Sequence, residues 1–184
     1  MIDLNNYLHT MEHDPCEKNN IETSNHKAYQ LDGENGLAKN LGFHSSGFSK
    51  TDYVKTQGNK IYFIEFTNLR DDIKECISCD YDLKKSSTVR KYIKEENKHG
   101  LKLVQKKLWM EILLEFKGKW MGSIALYERF LRLNNDYSCN PEYNLMIILK
   151  NDTDPKDKDL LENVLRQKLS GMISNVEIFL TNEL

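Results

Sequence analysis

The eight residues Lys60-Ile61-Tyr62-Phe63-Ile64-Glu65-Phe66-Thr67 constrain this chain more than any others. They are β-branched and aromatic almost throughout, which predicts a buried strand. The residues just before them, Gln57-Gly58-Asn59-Lys60, are polar and place a glycine at a hairpin turn. Two strands, about 50–56 and 60–67, therefore form a hairpin. Side chains alternate along a strand, so Glu65 and Thr67 project to the same side. A carboxylate in the middle of such a strand is expensive to bury without a partner, a proton or a metal. Asp52 lies on the neighbouring strand, so the hairpin brings two carboxylates within reach of one cation.

The rest of the chain supplies the layers around this hairpin. Residues 1–23 are polar and weakly periodic, and predict a loose arm or a short helix. A helix is expected from about Ser24 to Leu41, with Gly42 as its stop and a break near Asp32-Gly33. Residues 71–98 read as helical and highly charged, interrupted at Ser86-Ser87-Thr88. Leu101 to Leu133 is a long amphipathic stretch, with Leu103, Val104, Leu108, Ile112, Leu113 and Phe116 at helical spacing. Gly118 and Gly122 predict a bend or break in it. Tyr143 to Leu149 reads as a central strand. Asp154 then suits an N-cap and Pro155 the first helical position. That helix carries Leu160, Leu161, Val164, Leu165 and Leu169, and Val176 to Leu180 closes the chain as a strand. A strand–helix–strand unit favours a parallel pair with a right-handed crossover. The expected fold is α/β: one domain over 1–184, a mixed sheet flanked by helices, an arm at 1–23 and a helical insertion at 71–133.

The chain's 184 residues are enough for one sizeable core, and 39% hydrophobic and 29% charged residues give an ordinary soluble balance. No apolar run reaches the length of a membrane span, and the first residues lack a secretory pattern. The four cysteines have no dense spacing, which points to a reducing compartment and a cytoplasmic location. The net charge of -2 hides an asymmetry. From Lys84 to Lys119 there are eleven basic residues and only Glu95, Glu96, Glu111 and Glu115 as acids. Such a local field attracts phosphate backbones, and Lys91, Lys94, Lys98, Lys102, Lys106 and Lys107 are the candidate nucleic-acid contacts. A solvated helical face is the plainer reading of the same charges.

The stretch from Gly47-Phe48-Ser49-Lys50-Thr51-Asp52 through Ile64-Glu65-Phe66 resembles the PD-(D/E)XK nuclease superfamily. Its pattern is a helix carrying an acid, a strand carrying an Asp, and a strand carrying Glu-x-Lys. Asp52 matches the Asp and Glu65 the Glu, while Thr67 stands where the family has its Lys. The resemblance implies a restriction-endonuclease-like core and metal-dependent hydrolysis of phosphodiesters in DNA or RNA. Asp52 and Glu65 would hold Mg²⁺ or Mn²⁺. Glu34 is the candidate third acid, with Glu22 behind it. Lys50, two residues before Asp52, is the candidate for the missing charge, ahead of Lys60 and Arg70. Such proteins often serve bacterial defence or mobile elements. The departure at Thr67 keeps a second reading open: an inactive relative that binds nucleic acid, a protein partner or a second copy through its helical segment. A small inhibitor or immunity-type protein is a third. Asp52 capping a strand end and Glu65 pairing with a buried base is the purely structural alternative.

Other motifs carry less. Cys76-Ile77-Ser78-Cys79 with His13 and Cys16 would make four zinc ligands, but ordinary thiols on a helix explain the cysteines more simply. The acidic residues Asp152, Asp154, Asp157 and Asp159 lack calcium-loop spacing, and capping accounts for them. Trp109 and Trp120 read as core or partner packing, although Trp120 beside Lys117 and Lys119 also suits stacking on a base.

Overall fold

The computed structural model describes residues 1–13, 21–43, 48–73, 99–136 and 140–184, with the side chains of 99–108 left aside. Six strands form one sheet: β1 (Leu8–Glu12), β2 (Thr23–Gln30), β3 (Tyr53–Gln57), β4 (Lys60–Thr67), β5 (Glu142–Leu149) and β6 (Asn175–Leu180). They stand in sequence order across the sheet. The first four pair antiparallel as a meander. Strands β4, β5 and β6 run parallel. The sheet is therefore mixed, as expected. The α-helices with both ends among the described residues are α1 (Leu37–Asn40), α2 (His99–Leu133) and α3 (Pro155–Lys168).

The two parallel steps set the layering. Right-handed crossovers that advance in one direction place their helices on the same face of a sheet. Accordingly Ile112, Phe116 and Trp120 of α2 and Leu161 and Leu165 of α3 share one core with Ile61 and Phe63 of β4 and Leu145, Ile147 and Leu149 of β5. The alternate residues Ile64, Phe66 and Ile148 form a smaller cluster on the other face with Met11, Ala28 and Tyr53. By strand parity Glu65 and Thr67 belong to the α2 side.

Several expectations are corrected. The segment expected as a helix from Ser24 to Leu41 is mostly strand β2, paired with β1 on one side and β3 on the other. Two rows of backbone partners outweigh its helix-like polar composition. Helix survives only in the four residues of α1. Part of the expected arm is strand β1, an edge of the sheet. The long helix α2 runs unbroken through Gly118 and Gly122. Gly122 is needed for packing, because a Cβ there would lie 1.9 Å from the Ser49 carbonyl oxygen. Asp154 caps α3 as expected, its side chain accepting from the Lys156 N–H at 2.8 Å with Pro155 next. Among the described residues no helix is long and apolar enough to cross a membrane.

Candidate active site

The hairpin register creates the site. Tyr53 pairs with Ile64 in the antiparallel ladder, so one step further places Asp52 opposite Glu65. Directly opposed residues share a face. The β3 ladder ends there, and the Asp52 side chain takes over: its Oδ2 accepts the Phe66 N–H at 2.8 Å. Its carbonyl accepts from Leu31 N at 2.7 Å and Asp32 N at 3.3 Å. These bonds tie Asp52 to β4 and to the residues just past β2.

Glu65 is buried, with only 3% of its side chain exposed. Its Oε1 accepts from Lys119 Nζ at 2.5 Å, and Lys119 reaches Glu115 Oε1 at 2.8 Å. Glu65 Oε2 is buried and accepts no hydrogen bond from any described residue. Burial pushes the Glu65 carboxyl well above its usual range, the Asp52 carboxylate pushes the same way, and Lys119 opposes both. For Lys119, burial acts to lower the pKa, but Glu65 and Glu115 outweigh it and hold the ammonium above its ordinary value. These directions compete, since a protonated Glu65 would give Lys119 little. A charge-assisted contact between the two groups favours the ionised pair, and burial makes Glu65 reluctant to ionise.

Helix α2 is fastened to the Asp52 strand beside this pair. Ser123 Oγ accepts the Thr51 N–H at 2.8 Å and lies 2.9 Å from Thr51 Oγ1. It also contacts the Lys119 carbonyl at 2.8 Å. One buried hydroxyl thus links the backbone next to Asp52 with the backbone of Lys119.

The other sequence candidates lie elsewhere. Lys50 turns to Asp32, with its Nζ 2.9 Å from Oδ1. It lines a cavity of about 240 Å³ with Glu34, Lys39 and Phe43. Glu34 is exposed and follows β2 instead of riding on a first helix. Glu22 accepts the Asn151 N–H at 3.0 Å. Thr67 is buried, and its hydroxyl donates to Asp72 Oδ2 at 2.6 Å at the start of a helical turn. Arg70 pairs with Asp152 at 3.1 Å, and Lys60 is exposed. No group of three metal-ligating side chains occurs among the described residues.

Lys91, Lys94, Lys98 and the cysteine pair at 76 and 79 lie outside the described residues, while Lys102, Lys106 and Lys107 lie on α2. Trp120 is core. His13 is buried, edge-on to Phe66, with its Nε2 3.0 Å from Thr181 Oγ1. Lys119 is the site residue that sequence reasoning misses. Its one visible signal is its place one turn after Glu115 in a basic helix; nothing in the linear order ties it to Glu65.

The two parts of the structural alternative are therefore present: Asp52 caps a strand end and Glu65 pairs with a base. What they leave over is Oε2, a buried carboxylate oxygen on the face of a second carboxylate. That donor set suits a hard cation, since Mg²⁺ is held by one or two carboxylates and keeps its remaining positions for water. Comparison of the chain with family models, with characterised proteins and with solved structures gives no match.

Proposed function

We propose that this chain is a metal-dependent nuclease that hydrolyses phosphodiester bonds in DNA or RNA. Asp52 and Glu65 would hold Mg²⁺ or Mn²⁺. The observation that carries the reading is the buried Glu65 Oε2, without a hydrogen-bond donor among the described residues, on the face it shares with Asp52. The cation, when bound, lowers the pKa of a water and offsets charge on a phosphate. Asp52 and Glu65 orient it from adjacent strands. Lys119, which contacts both Glu65 and Glu115, would supply from the edge of the site the positive charge that Thr67 lacks. Its two carboxylate neighbours favour the ammonium form, which suits it to an electrostatic role. The basic stretch from Lys84 to Lys119 would guide a nucleic acid towards α2. A cytoplasmic location and a role in bacterial defence belong to the same proposal.

The test is a cleavage assay with Mg²⁺ and Mn²⁺ on single- and double-stranded DNA and RNA, alongside melting with the same ions. Cation-dependent cleavage that disappears in Asp52→Ala and Glu65→Ala is expected. A melting temperature indifferent to Mn²⁺, with no cleavage, would refute the reading.

One observation favours a second reading, an inactive relative whose α2 docks a protein partner or a second copy. Met110, Leu114 and Met121 are exposed apolar residues at helical spacing on α2. Light scattering on the wild type and on Leu114→Glu decides it; a monomer in both removes the homodimer.

A further inference from the structure

Lys119 sits between two carboxylates that differ in kind. Glu65 comes from β4 and is almost wholly buried; Glu115 lies one helical turn before Lys119 and is half exposed. The Glu115 contact is internal to α2 and needs no tertiary packing. The Glu65 contact depends on tertiary packing of α2 against the sheet, to which the Ser123 bonds contribute. The ammonium thus bridges two carboxylates at once, one inside the site and one at its edge.

We propose that Lys119 is a built-in competitor of the divalent cation at Glu65, and that it gives up Glu65 and keeps only Glu115 when the cation binds. The inference rests on the metal-site reading above. An ammonium and a divalent ion on one carboxylate repel each other, and the repulsion is strong where water is largely excluded. Glu65 has one oxygen taken by Lys119 and one without a donor among the described residues. A cation arriving at Oε2 therefore meets the ammonium at Oε1 and weakens its hold. Glu115 keeps the displaced charge paired, so the move leaves no isolated ion in the interior. The fold in this way sets the site's cation affinity below what Asp52 and Glu65 alone would give.

Calorimetric titration with Mn²⁺ alone tests this on the full chain. Lys119→Met should bind Mn²⁺ about tenfold or more tightly than wild type. Glu115→Gln should bind it more weakly, because the ammonium then has only Glu65. Lys117→Met removes a charge from the same helix without touching Glu65, and should change affinity far less. Lys119→Gln keeps a hydrogen-bond donor and guards against a packing defect in the Met variant; it should also bind more tightly. Wild-type binding with Lys119→Met and Lys119→Gln equal or weaker overturns the competition and leaves the metal site standing. A Lys117→Met gain as large as that of Lys119→Met also overturns it, in favour of a general field. Absence of Mn²⁺ binding in every variant overturns the metal site itself.

Discussion

Gly122 on α2 lies in backbone contact with Ser49: a Cβ at that position would stand 1.9 Å from the Ser49 carbonyl oxygen. The helix approaches the strand entering Asp52 as closely as backbone allows. Ser123, the next residue, uses that closeness to bond Thr51. The distance between Lys119 and Glu65 is a consequence of this fit. Gly122→Ala should therefore cost about 1–3 kcal/mol or more, as overpacking of a filled interior does. It should also loosen the Lys119–Glu65 pair. Urea unfolding measures the first effect, and unchanged stability would contradict the packing described.

If Lys119 supplies the charge at the site, Lys119→Ala should lower single-turnover cleavage at saturating Mn²⁺ by about 10²–10³. Lys50→Ala should change it little, since Lys50 is engaged by Asp32. The opposite ranking of the two variants would return the role to Lys50.

His13 gives a pH prediction away from the site. Burial chiefly lowers its pKa to about 4, Glu22 opposes this and Lys150 adds to it. The Thr181 hydroxyl donates to the Leu149 carbonyl at 3.1 Å, so it receives the ring's Nε2–H in the neutral tautomer assigned from this network. The folded pKa lies below the unfolded value. Stability is then fully present above about pH 6.5 and falls as pH drops towards 4, because the unfolded chain binds the proton first. The loss is up to about 3 kcal/mol, less where solvent reaches the ring. In His13→Gln this part of the slope should vanish; a wild-type slope retained in the variant would assign it to carboxylates instead.

Nucleic-acid binding through the basic part of α2 should fall steeply with salt. Reversing Lys102, Lys106 and Lys107 to Glu should weaken it and flatten the log–log salt slope by about 0.9 for each phosphate no longer neutralised. Fluorescence anisotropy over a salt series reads both. An unchanged slope would remove these three lysines from the interface.

The β3–β4 hairpin, the β5–α3–β6 unit and the mixed sheet are legible in the sequence because their signals are local. The run Ile61 to Phe66 has no other stable fate than a buried strand, and Asp154-Pro155 announces a helix start in two residues. The opposition of Asp52 and Glu65 follows from the same hairpin. Segment 24–41 misleads because its residues have no strong preference, so the partners on either side decide for strand β2. Gly118 and Gly122 look like breaks because a glycine's usual meaning is conformational, while here Gly122 serves a close approach. Lys119 is the largest case. Glu65 and Lys119 meet only through the crossover of α2 over the sheet, a pairing made by packing and closed by Ser123. Side-chain periodicity states which face of a strand or helix a residue occupies. Which residue stands opposite it depends on how two distant surfaces fit, and that is settled only by the tertiary structure.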